Sequence, residues 1–434
     1  MLVWLVTAGE PLPTDPGNQR PMRTAMLADY LVDRGHSVVR WASSFDHGTK
    51  TQRVRKDMTL PLRHGYKIWL LHAPAYAKNV SLSRIRNHRR LASKFRAIAP
   101  GEEAPDIIVC SLPTLELAEE VVSYARRRNI PVVVDVRDMW PDVILFRSPA
   151  ALRPAVKQLL RGLDRSADRI CAGATAITAH APGFVEWGLA RAKRPAGRFD
   201  KSFPFGYESR GLSESAISNA GAFWDGKGIG LGGDEMVVSY VGSLSHQFDF
   251  KPVFDAARRL EGKAKISFVL CGTGDRLDSL RQQSAGLSNV HMPGWVSLPQ
   301  TWVLLQQRSS IGLVALNGTP DFLLSIPNKI AEYLAAGLPI ASSFRSGMVR
   351  DLIERHQCGF SYSQSADVLV ERLSTLVQDR AELERMSQGA RALYEAQFRA
   401  DRIYPEFVSH LESLHEAGRP KPKALELSGP PRTQ

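Results

Sequence analysis

The chain has 434 residues, of which 44% are hydrophobic and 23% charged, and its formal net charge is +12. This length and composition exclude an intrinsically disordered protein and leave room for two sizeable globular domains. No apolar run approaches the roughly 18 residues of a membrane-spanning helix, and the apolar start lacks the basic leader of a signal peptide.

The four cysteines are scattered along the chain without a CxxC pair, at Cys110, Cys171, Cys271 and Cys358. Such spacing is typical of a reducing compartment and lacks the pattern of a metal site. We therefore expect a cytoplasmic protein with no metal ion and no cofactor.

In the first half of the chain, short apolar runs alternate with segments of helical periodicity. Strands are predicted at 2–6, 37–41, 67–71, 107–109 and 132–136, and helices at 22–34 and 115–128. This alternation is typical of a parallel sheet built from βαβ units.

A second series of apolar runs follows further along the chain. Strands are predicted at 236–241, 266–270, 290–291, 311–315, 338–341 and 359–362, with a helix at 252–260. The fold class is therefore α/β, with two doubly wound Rossmann-like domains that face a cleft.

The domain boundary is expected near residue 205, because the stretch 196–234 is rich in glycine, contains Pro204 and shows little periodicity. Domain one then spans 1–205 and domain two 206–398. Two long helical patterns at 381–398 and 403–415 end the fold, the second within a closing helix at 399–417. The Pro- and Lys-rich tail, 418–434, is predicted to be disordered.

Basic residues concentrate between Lys50 and Pro100, where thirteen Lys and Arg accompany a single acid, Asp57. Apolar residues recur there at near-helical spacing from Leu82 to Ile98, so a basic amphipathic helix is predicted. We favour docking on an anionic membrane surface. Two alternatives are that the apolar stripe packs on the core or that the charge binds nucleic acid; no nucleic-acid motif supports the latter.

Ligands of open α/β sheets collect beyond the carboxyl ends of the strands, so the loops that follow strands are informative. The first such loop contains Gly17, Asn18 and Arg20, with Arg23 beyond, and could line an acceptor or phosphate cleft. Other loops contain Arg137 and Asp138, then Gly242 and Ser243, then Gly272 and Gly274. Asp135 and Asp138 mimic a metal motif, but Asp135 should lie inside the strand.

The segment 325–340 gives the strongest signal for a ligand. Pro327 suits the first position of a helix, whose free N–H groups and dipole attract an anion near Asn328 and Lys329. Glu332 lies on the same face as Lys329, where a carboxylate can bind the vicinal hydroxyls of a ribose. The alternative is an ordinary surface Lys–Glu pair on an amphipathic helix.

These residues resemble the retaining glycosyltransferases of the GT-B fold, family GT4, and especially the WbuB-like transferases of bacterial surface polysaccharides. The resemblance covers roughly residues 1–415. Besides the Gly17-Asn18 loop, its motifs are DVRDMWPD at 135–142, YVGSL at 240–244, CGTGD at 271–275, PGWV at 293–296 and PNKIAEYLAAG at 327–337.

The resemblance implies that the second domain holds a nucleotide sugar and the first an acceptor. The residues implied for the donor are Gly242, Ser243, Gly272, Gly274, Trp295, Val296, Asn328, Lys329 and Glu332. For the acceptor they are Gly17, Asn18, Arg20 and His180, and for catalysis Arg137, Asp138 and Lys329.

Three departures from the family pattern are visible in the sequence. Leu324 stands where the first of two acids, eight residues apart, is usual. Ser243 and Phe248 occupy the places of an Arg and a Lys. A usual His is replaced by Arg137-Asp138, for which an internal ion pair bracing the Trp140 loop is an alternative to a functional role.

The predicted function is metal-independent, retaining transfer of a sugar from a UDP-linked donor, of N-acetylhexosamine type, to a saccharide on a polyprenyl diphosphate. The enzyme would act at the inner face of the plasma membrane in O-antigen or related polysaccharide biosynthesis. Alternatives are a non-hydrolysing sugar-nucleotide epimerase and a catalytically silent sugar-nucleotide-binding scaffold.

Overall fold

The computed structural model describes residues 1–16, 21–78, 81–208, 211–230 and 235–418. An eight-stranded sheet in the first half has the strand order β3-β4-β2-β1-β5-β6-β7-β8, and only β3 is antiparallel to its neighbour. Its elements are β1 (Leu2–Val6), α1 (Arg23–Asp33), β2 (Ser37–Ser43), β3 (Met58–Arg63), β4 (Tyr66–Leu71), α2 (Leu82–Ile98), β5 (Ile107–Leu112), α3 (Leu115–Arg127), β6 (Val132–Val136), α4 (Asp142–Phe146), α5 (Arg153–Gly173), β7 (Ala176–Ala179), α6 (Pro182–Ala192) and β8 (Lys201–Ser202).

A second, fully parallel sheet has six strands in the order β11-β10-β9-β12-β13-β14. Its elements are α7 (Glu214–Asp225), β9 (Met236–Val241), α8 (Lys251–Leu260), β10 (Ile266–Cys271), α9 (Leu277–Gln283), β11 (Val290–Gly294), α10 (Leu298–Val303), β12 (Ile311–Val314), α11 (Pro320–Leu323), α12 (Asn328–Ala335), β13 (Ile340–Ser342), α13 (Met348–Arg355), β14 (Gly359–Ser361), α14 (Ala366–Gln378), α15 (Arg380–Gln397) and α16 (Ala400–Gly418).

The prediction of two doubly wound parallel sheets is confirmed. β1, β6 and β9 have the predicted bounds, and every other predicted strand or helix is present within three residues at each end. The bounds agree because most of these strands are buried on both faces and therefore mainly apolar, as in β6, where all five residues are buried and four are valine.

The prediction of an irregular stretch between the domains is wrong in part. The glycine-rich segment contains the twelve-residue helix α7, which the Ser213 side chain caps by accepting from the Ala216 N–H. Trp224 of α7 is fully buried and donates its indole N–H to the Gln300 carbonyl. One buried tryptophan and a cap therefore outweigh the low helix propensity of Gly221, the one glycine inside α7.

The apolar stripe of α2 packs inside the first domain. Leu91, Ala92 and Phe95 are buried, and the helix packs against α3. From Leu91 onward the stripe therefore packs on the core, as the alternative predicted, and cannot face a membrane, whereas Leu82 at its start is exposed. Part of the basic face is also neutralised, since Lys94 pairs with Asp57 and Arg96 with Glu120.

The last helix returns to the first domain. α16 contributes Phe407, Val408 and Leu411 to the core on one face of the first sheet, where Phe203 stacks on Phe407 with ring centroids 4.3 Å apart. The closing helix predicted at 399–417 thus ties the end of the described chain to the first sheet. The rest of the predicted tail, 419–434, lies outside the described residues.

Candidate active site

A cavity of about 420 Å³ opens at the carboxyl ends of the first sheet, where it meets the second domain. Most of its wall comes from the first domain, and Gln247 and Asn328 come from the second. The domains touch beside it, where α4 packs against α11 and Arg147 lies 3.4 Å from Asp321. The side chains of this wall that carry charge or an aromatic ring include Glu10, Tyr76, Arg84, Arg137, Asp138 and Trp140.

A buried ionic cluster supports the floor of the cavity. Asp135 is fully buried in β6 and accepts two hydrogen bonds from Arg23, both at 3.0 Å, and one from Arg137 at 2.7 Å. Arg137 also pairs with Glu10 and donates to the Thr24 hydroxyl at 3.0 Å. Arg137 is thus held rigidly by Asp135 and Glu10; the proposed internal pair with Asp138 is not what holds it.

Asp138 faces the cavity from the loop after β6. Burial, and next the negative charge of Asp321 on α11, raise the pKa of Asp138 to about 6, although Arg147 and Arg84 act in the opposite direction. Asp321 is buried, and in the described part of the chain its Oδ1 has no hydrogen-bond partner. A carboxyl that titrates near neutral pH beside an arginine can orient or deprotonate a hydroxyl.

Replacing Asp138 by Asn is expected to stabilise the protein at pH 8 by about 2–3 kcal/mol. The pKa of Asp138 in the folded protein lies above the 3.8 of an unperturbed aspartate. The ionised carboxylate therefore destabilises the fold above about pH 6, and this penalty disappears as the pH falls toward 4. Thermal unfolding at pH 8 and pH 4 measures the difference. A variant that is equally stabilised at both pH values would show that the charge is not the cause.

Leu324, which stands where the family usually has an acidic residue, lies at the contact between the domains. A Cβ placed on Gly183, at the start of α6, would be only 3.0 Å from the Leu324 Cβ. An apolar side chain therefore packs where an acid is usual. Asp321 carries a carboxylate one helical turn earlier, a position that the sequence pattern did not single out.

Lys329 and Glu332 lie on α12, beneath the loop that follows β9. Pro327 is the N-cap of α12, so the helix begins one residue later than predicted, and Gly337 ends the region with a left-handed φ of 68° as predicted. The Lys329 Nζ lies 3.8 Å from the ring centroid of Tyr240 and 4.5 Å from that of Phe248.

The Lys329 ammonium group is shielded from water, although its stem is half-buried, and Nζ has no hydrogen-bond partner in the described residues. Burial lowers the pKa of Lys329 to about 7, while the nearby charge of Glu332 acts in the opposite direction. Glu332 itself is buried at 8% exposure, which excludes the ordinary surface Lys–Glu pair. A desolvated cation beside a helix start is suited to an anionic ligand.

Gly242 and Gly272, which the resemblance implies for the donor, use their N–H groups inside the protein. The Gly242 N–H donates to the Cys271 carbonyl at 3.0 Å, and the Gly272 N–H to the Gly294 carbonyl at 2.8 Å. Gly272 has a φ of 142°, and a Cβ there would lie 1.7 Å from the Gly242 carbonyl oxygen. Gly272 and Gly274 therefore let two backbone loops run side by side. The Ser243 carbonyl accepts a hydrogen bond from the Tyr240 hydroxyl at 2.6 Å.

The loop after β11 presents two very different side chains. Trp295 is 67% exposed, whereas Val296 is 7% exposed and packs in a core with Trp224. Trp295 is therefore accessible to a flat ring, while Val296 has a packing role.

Two predictions about the acceptor side have different outcomes. His180 is buried, stacks on Phe205 with centroids 4.7 Å apart, and does not line the cavity. Burial, followed by the charge of Arg23, lowers the pKa of His180 to about 3, so the ring is neutral and unsuited to bind an anion. Gly17, Asn18 and Arg20 lie outside the described residues. Arg23 pairs with Asp135 and also contributes to the cavity wall.

Within the described residues, no group of three or more His, Cys, Asp or Glu side chains is placed to hold a metal ion, and no helix is long and apolar enough to cross a bilayer. Of the two residues with metal-like spacing, Asp135 belongs to the buried ionic cluster and Asp138 faces the cavity.

Comparisons with known proteins agree with this architecture. Residues 22–197 match the model of the glycosyl transferase 4-like domain, and residues 226–393 match that of the glycosyl transferases group 1. The putative colanic acid biosynthesis glycosyltransferase WcaL of Escherichia coli is 27% identical over 180 residues, which are 40% of this chain and 44% of that relative.

Among solved structures, HepE of Anabaena in complex with UDP is similar with a TM-score of 0.64 at 15% identity, covering 95% of this chain and all of that one. WaaG, a glycosyltransferase involved in lipopolysaccharide biosynthesis, has a TM-score of 0.60 at 13% identity, covering 94% and 99%. These two likenesses show the fold. With one family domain matched on each sheet, the chain belongs to the GT-B glycosyltransferases of family GT4.

Proposed function

We propose that this enzyme transfers a sugar, of N-acetylhexosamine type, from a UDP-linked donor to a lipid-linked saccharide during surface polysaccharide biosynthesis. The observation that carries the proposal is the Lys329 ammonium group, which is desolvated and has no hydrogen-bond partner within the described residues. It lies on the helix whose first residue, Asn328, faces the cavity with Arg137 and Asp138. A donor diphosphate would supply the hydrogen-bond acceptors that this ammonium group lacks, and Glu332 would bind its ribose.

The donor and the biological role are supported by relatives. HepE is similar and was solved in complex with UDP. WcaL is described as a putative colanic acid biosynthesis glycosyltransferase, and WaaG as a glycosyltransferase involved in lipopolysaccharide biosynthesis. The exposed Trp295 offers a surface on which a uracil ring could stack.

The acceptor would occupy the cavity of the first domain, with Trp140 and Tyr76 against its sugar ring. In the proposed transfer, the acceptor hydroxyl attacks the anomeric carbon of the donor, and the bond from that carbon to the diphosphate breaks with retention of configuration. Lys329 would stabilise the charge that develops on the leaving diphosphate, and Arg137 and Asp138 would orient the acceptor hydroxyl. Neither a metal ion nor a covalent enzyme intermediate is required in this scheme.

The proposal predicts that UDP binds in the micromolar range and that Glu332→Gln weakens it about tenfold, because a charged hydrogen-bond acceptor is lost. The ligand used for comparison is 2′-deoxy-UDP, which lacks one of the two ribose hydroxyls. Wild type should bind it less tightly than UDP, and Glu332→Gln should bind both nucleotides about equally. Isothermal titration calorimetry provides the four affinities.

The matched control is Glu354→Gln, which removes an exposed glutamate of α13 that pairs with Arg350. It should bind UDP as wild type does. Failure of wild type to bind UDP, or equal loss with both nucleotides in Glu332→Gln, would overturn the assignment. Binding without transfer to membrane lipid extracts would instead favour a silent scaffold, and donor conversion without acceptor would favour an epimerase.

A further inference from the structure

The first half of α5 projects beyond the body of the first domain. α5 has 21 residues and is therefore about 31 Å long, whereas β6 and β7, which it connects, have five and four residues. Over 150–159 every residue is exposed except Val156, which is half-buried, and Leu160 is the first buried residue of the helix. Apart from Val156, this half of the helix is therefore exposed to solvent.

The projecting half lies at the same edge of the sheet as the cavity. A helix that connects two parallel strands runs back from their carboxyl ends, so α5 and α2 both begin at the carboxyl edge of the first sheet. α3 lies between them, packed against both. Their first turns are therefore about 20 Å apart along this edge.

Large apolar side chains are exposed at these two helix starts. Leu82, at the start of α2, is 82% exposed, Leu152, just before α5, is 55% exposed, and Leu159 is 83% exposed. Leu152, Val156 and Leu159 have the spacing of one helix face. These three leucines are most of the large hydrophobic side chains that the described residues expose.

Cations surround the leucines. Arg153, Lys157 and Arg161 lie on α5, and Arg86, Arg89 and Arg90 on α2. No ion pair within 4 Å involves any of these six in the described residues, in contrast to Lys94 and Arg96 further along α2. The sequence from 143 to 163 contains no acidic residue.

We propose that the docking face, defined as the exposed side chains of 82–90 and 152–161, binds an anionic lipid bilayer, with Leu82, Leu152 and Leu159 inserted among the acyl chains. The combination favours a bilayer over other partners, because leucines gain free energy in the acyl region while the unpaired cations meet lipid phosphates. A nucleic acid would use the cations but not the leucines.

The inference deepens the proposed function, since a lipid-linked acceptor would then reach the cavity from the membrane that the enzyme sits on. It also moves the membrane contact from the buried part of the α2 stripe to the start of that helix and to α5. Two of the three leucines, Leu152 and Leu159, lie outside the basic region 50–100 on which the prediction of membrane docking rested.

The test is co-flotation of the full chain with vesicles of phosphatidylcholine, with or without phosphatidylglycerol. Wild type should bind when phosphatidylglycerol is present, and added salt should weaken binding. The triple variant Arg153→Gln, Lys157→Gln and Arg161→Gln should bind about a hundredfold more weakly, from about 1 kcal/mol per cation. Leu152→Ser with Leu159→Ser should lose at least tenfold with the charge unchanged.

A charge-matched control replaces three exposed cations of the second domain by Gln, at Lys263, Arg355 and Arg385. It should bind vesicles as wild type does, and all variants should keep the wild-type unfolding temperature. Absence of wild-type binding, or equal losses in the control and the α5 variants, would overturn the proposal. So would a leucine variant that loses self-association but not vesicle binding.

Calorimetry with UDP separates this inference from the proposed function. The α5 variants should bind UDP as wild type does, because no residue of 152–161 lines the cavity and α12 belongs to the other domain. If vesicles bind but UDP does not, the docking face is supported and the donor assignment fails. The reverse result would refute the docking face alone.

Discussion

Asparagine in place of Asp135 is expected to lower the free energy of unfolding by about 3–5 kcal/mol. Asp135 is fully buried between the guanidinium groups of Arg23 and Arg137, and the Thr178 hydroxyl donates to it at 2.9 Å. The amide is neutral and would leave two arginines without their shared counter-charge. The loss is therefore much larger than that of one neutral hydrogen bond.

The destabilisation caused by Asp135→Asn should extend across the first domain, because Arg23 also connects segments that are distant in the sequence. It donates to the Phe203 carbonyl at 2.6 Å and lies 5.0 Å from the ring centroid of Phe407 on α16. Burial alone would raise the pKa of Asp135, but the charges of Arg23 and Arg137 outweigh burial and hold that pKa below the 3.8 of an unperturbed aspartate. The stabilisation is thus present above about pH 4 and is lost as the pH falls further.

Urea unfolding at neutral pH and below pH 3 measures this contribution. Asp255→Asn is the control, since it removes an exposed acid that pairs with Lys251 and Arg258, and it should change stability by no more than about 0.5 kcal/mol. Adding Arg23→Met to Asp135→Asn should cost less than the sum of the single changes. An Asp135→Asn protein as stable as wild type would show that the cluster is not a structural support.

The fold could be predicted where buried strands are long and apolar, and it was missed where they are not. β6 consists of five buried residues, four of them valine, and its bounds were predicted without error. β7 has four residues, two of them alanine, and β8 has two, too few for a pattern. β3 was missed as well: it is an antiparallel strand at the sheet edge with alternating burial and carries a proline.

The site could be predicted in position but not in its contacts. Because carboxyl ends of parallel strands meet at one edge, the loops after β6 and β9 were expected to face one cleft, and Asp138 of the first loop and Gln247 of the second both line the cavity. The partner of Arg137, however, is Glu10, 127 residues away, and Asp321 influences Asp138 from the other domain. Helix spacing placed Lys329 and Glu332 together, but only the tertiary structure shows Tyr240 and Phe248 enclosing the ammonium group.

Replacing Lys329 by Met is expected to stabilise the protein without ligand and to weaken UDP binding about a hundredfold. Opposite effects on stability and binding follow from one cause, the desolvation of the ammonium group. A charge placed between two aromatic rings without a hydrogen-bond partner costs free energy until an anion arrives. Met retains the length of the stem and packs well against rings.

The pH dependence gives the sign of the stability effect. The pKa of Lys329 is lowered to about 7 in the folded protein, compared with 10.5 for an unperturbed lysine. The unfolded chain therefore binds the proton more tightly. The penalty is therefore complete below pH 7 and disappears as the pH rises toward 10.5. The gain from Met should be on the order of a few kcal/mol at pH 6 and should shrink steadily above pH 7.

Binding of UDP should show the complementary dependence. A diphosphate beside Nζ favours the protonated amine, so binding takes up a proton above about pH 7, and wild-type affinity should fall as the pH rises from 7 to 9. Lys329→Met should lose this slope together with its affinity. Calorimetry in two buffers of different ionisation enthalpy measures the proton uptake directly.

The control for this experiment is Lys251→Met, since that ammonium group is 76% exposed and pairs with Asp255 at 2.6 Å on a helix of the same domain. It should leave both stability and UDP affinity nearly unchanged. A Lys329→Met protein that is less stable than wild type would show that the amine has a structural partner. One that is more stable but binds UDP as tightly as wild type would show that the desolvated cation serves no donor diphosphate, and the proposed function would lose the observation that carries it.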